Sequence, residues 1–172
     1  MLEMEGIQVL CHSSIRIEKE KIIYIDPFRI DRNYNDADLI LCTHSHYDHF
    51  SKEDILKVIS ENTVILLTED VKEEAIEMGI HPQNVIVVKP YEKYEYEGII
   101  INTVPAYNKY KEFHPKNKNW VGYVIEIEGI RYYIAGDTDE TKEAGDVKCD
   151  VAFLPVGRNI YNGLFRSCNS CC

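Results

Sequence analysis

The segment THSHYDHF at 43–50 sets three imidazoles and a carboxylate, His44, His46, Asp48 and His49, within six positions. Neutral imidazole nitrogens and carboxylate oxygens are donors that a divalent transition metal accepts. His44 and His46, two apart, can turn toward one point from an extended or tightly turned backbone, and Asp48 and His49 add donors just beyond. That is enough for two metals. The competing account is a polar loop whose histidines only cap the helix that follows, and it leaves so dense a cluster between a buried strand and a capped helix without a reason.

Two divalent ions about 3.5–4 Å apart can share a water, lower its pKa toward neutrality and present hydroxide to an electrophilic carbon or phosphorus. Hydrolysis is the natural outcome, with Asp48 as the catalytic residue that orients the hydroxide and takes its proton while a metal stabilises the developing oxyanion. Nothing in this scheme needs a serine or cysteine nucleophile.

The elements that must hold these donors are legible as short apolar runs. IQVL, SIRIE and KIIYID read as strands of an opening antiparallel sheet, broken at Asp26-Pro27. ADLILC has the length of a buried strand and delivers the chain into Thr43 and His44. Ser51 is a helix N-cap with Asp54 three residues on, and Ile55, Leu56 and Ile59 then share a face. TVILL is the next strand. Thr68 caps a second helix carrying Val71, Ala75, Ile76 and Met78, which Gly79 closes. VIVV, GIIINTV, VGYVIEIE, GIRYYIA and DVAFLP supply further strands, with Glu128-Gly129 a hairpin turn. Amphipathic helices among so many strands indicate sheets covered by helices, and no short repeat points to a solenoid. AYNKYKEFHPKNKNW is a long, polar, proline-interrupted loop of the kind that carries function.

Several of these segments, taken together, resemble the metallo-β-lactamase superfamily. THSHYDHF matches its HxHxDH signature. IDPF at 25–28, PAYN and FHP within 105–115, VGYVIEIEG at 121–129, AGDTD at 135–139 and LPVG at 154–157 are similar to its small L-ascorbate-6-phosphate lactonase-like metal-dependent hydrolases. The resemblance implies an α+β, four-layer αββα sandwich over residues 1–157, with its C-terminal strand and helix portion incomplete. It implies that His44 and His46 hold a first metal, Asp48 and His49 a second, and that Asp137 bridges both. His114, the only histidine in the long loop, is the third ligand of the first metal, with Asn108 as competitor because many relatives place that ligand at the position of Tyr107 or Asn108. His12 falls where relatives carry a histidine near the pocket, although a histidine in such a strand is more often structural. The metals are expected to be zinc, with manganese or iron as substitutes.

Composition narrows the rest. The chain has 172 residues, which suits one domain with one core, and 19 basic against 29 acidic residues give a net charge of −10, which disfavours a phosphate backbone as partner. No apolar stretch approaches the roughly 18 residues that span a bilayer. The expectation is therefore a cytoplasmic protein acting on a small molecule. Lys109, Lys111, Lys116 and Lys118 form a local basic cluster suited to an anionic ester or phosphate, or simply a solvated loop tip. Cys11, Cys42 and Cys149 read as buried free thiols, and His81 as a surface residue. Tyr91, Tyr94 and Tyr96 read as a half-exposed strand or turn rather than a base-stacking platform.

No histidine follows His114, whereas the superfamily supplies one more to the second metal. With suitable codons, shifting the frame at Arg158 converts RNIYNG into Gly-Thr-Tyr-Thr-Met, the segment that relatives carry. Residues 158–172, with their terminal CNSCC, are thus expected to be a frameshifted tail, leaving weak catalysis and an exposed sheet edge open to self-association. The reading from another class is a noncatalytic metal-binding or interaction protein that keeps the fold.

Overall fold

The computed structural model describes residues 5–155, so the expectations for residues 158–172 lie outside it. The chain forms two compact units, Met1–Val87 and Val88–Cys172, each built on one sheet.

In the first unit, β1 (Ile7–Val9), β2 (Ile15–Glu18) and β3 (Ile22–Ile25) pair antiparallel through short turns. β4 (Ala37–Leu41), β5 (Ile59–Leu67) and β6 (Val85–Val87) then add in parallel, completing the order β1-β2-β3-β4-β5-β6. A parallel neighbour requires a crossover, and helices α1 (Lys52–Val58) and α2 (Lys72–Glu77) lie in the two connections after β4. The core gathers Tyr24, Ile40, Phe50, Ile55, Val58, Ile65 and Leu67. Leu39, Ile40, Leu41 and Cys42 are completely buried, as a parallel strand covered on both faces demands.

Both helices depart from expectation in detail. α1 has seven residues, and its inward positions are Asp54, Ile55 and Val58, so Leu56 stays half exposed and Ile59 belongs to β5, paired with Ala37. The β-branched Ile59 leaves the helix at ψ 139° because pairing with β4 competes with one more helical turn. Thr68 caps no helix: its hydroxyl donates to the Asp70 carboxylate at 2.6 Å, and a single 3₁₀ turn, Glu69–Val71, precedes α2. Gly79 does end α2, at φ +94°.

In the second unit, β7 (Lys93–Tyr96), β8 (Ile99–Pro105), β9 (Val121–Ile127), β10 (Ile130–Ile134) and β11 (Val151–Phe153) form a sheet in the order β11-β10-β9-β8-β7. Only β10 and β11 are parallel, and α3 (Lys142–Gly145) lies in their crossover. Glu128 and Gly129 both have positive φ, at 52° and 76°, the tight turn that suits a two-residue hairpin. Val124, Tyr133, Ala135 and Cys149 pack a core on one face.

β9 passes unusually close to the end of β10. A Cβ on Gly122 would lie 2.7 Å from the carbonyl oxygens of both Ile134 and Ala135, backbone atoms that cannot swing aside. Gly122→Ala is expected to destabilise the chain by about 1–3 kcal/mol, the usual cost of overpacking. An unchanged thermal unfolding midpoint would contradict this close approach.

Candidate metal centre

Asp26 ends β3 in the left-handed region, at φ 45°, and is completely buried. Its backbone N–H donates to Leu41 O at 3.0 Å, which places its side chain against the end of the neighbouring β4. The carboxylate accepts from Thr43 N at 2.8 Å, from the Thr43 hydroxyl at 2.7 Å and from His49 Nδ1 at 2.6 Å. A carboxylate partner makes Nδ1 the protonated nitrogen of His49, so Nε2 carries the lone pair.

Thr43 transmits the same logic to His44. Its hydroxyl gives its proton to Asp26 and lies 2.9 Å from His44 Nδ1, so it accepts there and His44 Nε2 becomes the lone-pair nitrogen. That atom is 3.2 Å from His46 Nδ1. The two ring nitrogens converge on a common point, as expected of ligands to one cation. The His44 and His49 rings overlap at 3.9 Å between centroids, and His44 and His49 are buried while His46 is partly exposed.

The turn that arranges this is tight, with His49 N and Phe50 N both donating to His46 O at 2.9 and 2.7 Å. Phe50 anchors it in the core. Asp48 projects toward solvent at intermediate burial, with Oδ2 3.7 Å from His49 Nε2. On the far side, Asp54 fastens the loop after β3 by accepting from Arg29 N and Ile30 N, both at 2.9 Å. Burial alone would raise its pKa, but bonds from Ser51, Lys57 and those two amides outweigh burial and hold its carboxyl below the usual range.

The second unit carries its own pair. Asp137 follows β10 by way of Gly136 at φ 63°, and His114 Nε2 lies 3.5 Å from its Oδ2. Both side chains are buried. Tyr107 N donates to the Thr138 hydroxyl and Asp139 N to Tyr107 O, each at 3.1 Å, and Lys109 N donates to Asp139 at 2.9 Å. Asn108 N then closes the intervening loop onto His114 O at 2.8 Å, and Trp120 stacks edge-on against the imidazole at 4.9 Å.

Tyr107, at one of the two positions where relatives place this ligand, is otherwise engaged. Its hydroxyl donates to Glu143 at 2.9 Å, beside Tyr91 and Lys116, and the Lys116 ammonium, ahead of the other donors, pushes the Glu143 carboxyl down to about 2. Asn108 is buried, and its amide nitrogen donates to Phe113 O at 2.9 Å, which fixes which end of the amide is oxygen. Its Oδ1 is buried without a hydrogen-bond donor. A stranded acceptor costs about 1–3 kcal/mol unless something binds it.

Four of the expected ligands, His44, His46, Asp48 and His49, thus lie in the first unit, and two, His114 and Asp137, in the second. His44 with His46, and His114 with Asp137, each present donor atoms within 4.8 Å of one another. Imidazoles with an assigned lone-pair nitrogen, a carboxylate and an orphaned buried oxygen are a donor set that fits a divalent transition metal.

Other expectations divide. His12 sits in the turn between β1 and β2 at φ 52° rather than in a strand, is exposed, and its ring meets Phe28 at 5.4 Å. Residue 12 leaves the extended region because Ser14 N turns back to Cys11 O. His81 is exposed, as expected. Of the lysine cluster, Lys111 pairs with Asp139 at 3.6 Å and Lys116 with Glu143 at 2.8 Å, which reduces the positive field it offers. Sequence reasoning gave Asp26 no role, though a carboxylate directly ending an all-apolar strand was the available signal. No helix among the described residues is long and apolar enough to cross a membrane.

A family model described as β-lactamase superfamily domain matches residues 6–167. The UPF0173 metal-dependent hydrolase of Thermococcus onnurineus is 30% identical over 93% of this chain and 75% of its own length. A counterpart from Thermoplasma volcanium is 33% identical over 85% of this chain and 68% of its own. Among solved structures, a putative metal-dependent hydrolase from Parabacteroides distasonis superimposes with a TM-score of 0.76 at 28% identity, covering 90% of this chain and 71% of that one.

Proposed function

Because this chain belongs to the β-lactamase superfamily domain family and has its α+β fold, we propose that it is a metal-dependent hydrolase of a small ester, lactone or phosphoester. The carrying observation is the approach of His44 Nε2 to His46 Nδ1 at 3.2 Å, with Thr43 and Asp26 setting the tautomer behind it.

In this reading His44, His46 and His114 would hold one ion and Asp48 and His49 a second, with Asp137 offered to both. A divalent ion held there supplies Lewis acidity and a water acidified toward neutral pH. Asp48, the more exposed of the two carboxylates of the set, would orient a water there and accept its proton. Asp26 and Thr43 keep His44 and His49 in the tautomers that present Nε2. Zinc suits an imidazole-rich set best, and manganese or iron would serve the same residues. The chain's action is placed in the cytoplasm, where thiols such as those of Cys11, Cys42 and Cys149 stay reduced.

The test is a zinc-loaded preparation assayed on lactones, phosphodiesters and thioesters with metal counted by elemental analysis. Bound zinc and chelator-sensitive hydrolysis of at least one class are expected, with Asp48→Asn abolishing turnover while at least one zinc stays bound. Bound metal without hydrolysis of any class would favour the noncatalytic metal-binding reading, and absence of bound metal would overturn both.

A further inference from the structure

Ser45 and Tyr47, which alternate with His44, His46 and Asp48, line a hollow of about 680 Å³ in the first unit, together with Phe28, Arg29, Phe50 and Lys52. That volume lies within the roughly 300–1,000 Å³ usual for small-molecule sites. We propose that this hollow seats an aromatic, negatively charged part of the substrate, with Tyr47 and Phe28 as its wall and Arg29 as its anion partner. The use made of the seat rests on the hydrolase reading above; the binding itself does not.

Three observations carry the assignment. The Tyr47 side chain is 77% exposed, although a large aromatic ring gains by being covered. It is held in place even so: its ring meets Phe28 edge-on at 5.8 Å, and Phe28 meets His12 the same way at 5.4 Å. These are distances at which aromatic rings attract and fix one another's orientation. A third planar group laid on Tyr47 would extend an existing stack without first ordering it.

The charges of the hollow single out one cation. Lys52 is tied to Glu74 at 2.7 Å, and Lys57 to Glu53 and Asp54 at 2.9 and 3.0 Å. Arg29 has no carboxylate partner among the described residues; its guanidinium carbon lies 5.3 Å from the Phe28 ring centroid, and its backbone is held at φ 52° with the amide on Asp54. An exposed arginine stacked on an aromatic face beside an uncovered tyrosine is suited to a carboxylate or phosphate on an aromatic group.

An NMR titration of the full chain with phenylacetate and with acetate, after metal removal by chelator, tests the seat separately from the metal chemistry. Phenylacetate is expected to bind at least ~10-fold more tightly than acetate, as burial of one ring implies, with the largest shifts at Phe28, Arg29 and Tyr47. Tyr47→Ala should erase that preference and Tyr47→Phe retain it. Arg29→Gln should weaken phenylacetate without changing benzyl alcohol. Equal binding of the two acids, no binding of either, or a preference untouched by Tyr47→Ala would overturn the proposal. Hydrolysis without aromatic preference would leave the metal reading standing and remove this one, whereas aromatic binding by a chain that takes up no zinc when zinc is added back would do the reverse.

Discussion

Asp26→Ala is expected to destabilise the chain by about 3–5 kcal/mol, because three buried donors lose their acceptor at roughly 1–3 kcal/mol each, and to weaken metal binding by about 10–100-fold, the usual effect of removing the partner behind a ligating histidine. The carboxylate is completely buried and holds three donors, Thr43 N, the Thr43 hydroxyl and His49 Nδ1, at 2.6–2.8 Å. Alanine strands all three. It also removes the reason for the His49 tautomer, because an imidazole with no acceptor at Nδ1 can place its proton on Nε2 instead. Asp26→Asn separates the two roles. An amide keeps most of the volume and one acceptor oxygen but cannot accept from all three donors, so it should recover part of the stability and little of the metal affinity. Chemical denaturation with metal removed, beside zinc titration of the folded variant, reads the two quantities independently. A fully stable Asp26→Ala chain with normal zinc affinity would show that Asp26 only fills space.

The strands were legible because their apolar runs are long relative to the strands themselves. ADLILC, VGYVIEIE and GIRYYIA each announce a buried or alternating element, and the structure places β4, β9 and β10 there. Helix boundaries were less legible. Leu56 looked inward because residues 55, 56 and 59 were counted on one face, yet pairing of Ile59 with Ala37 across the sheet ended α1 early. That competition is tertiary and leaves no mark in a local window.

The candidate metal donors of residues 44–49 could be read directly, since their spacing is local. Asp26 and Thr43 are 17 positions apart, and only the parallel register of β3 with β4 makes them neighbours. His114 was found as the one histidine of its loop, but its approach to Asp137 depends on the Tyr107–Thr138 and Lys109–Asp139 bonds, which composition does not disclose. His12 was misplaced for a related reason. It was read as lying in a strand, whereas Ser14 N turns back to Cys11 O and β2 begins only at Ile15.

His114→Ala and Asp137→Ala are each expected to lower zinc affinity by more than ~100-fold, beyond what loss of a second-layer partner costs, and the double variant should be scarcely worse than either single one. His114 Nε2 and Asp137 Oδ2 lie 3.5 Å apart, and if both hold one ion their effects are not independent, because loss of the first already removes much of what the second contributed. A structural contact predicts a different pattern, in which each substitution lowers stability and the zinc effects, if any, multiply. Asn108→Ala is the comparison. It removes the bond to Phe113 O and so loosens the loop that carries His114, but if imidazole is the ligand it should cost no more than ~10-fold in zinc affinity, at the lower edge of second-layer effects. If Asn108→Ala instead abolishes zinc binding while His114→Ala spares it, the stranded Asn108 oxygen is the ligand, and the role of His114 reduces to packing against Trp120.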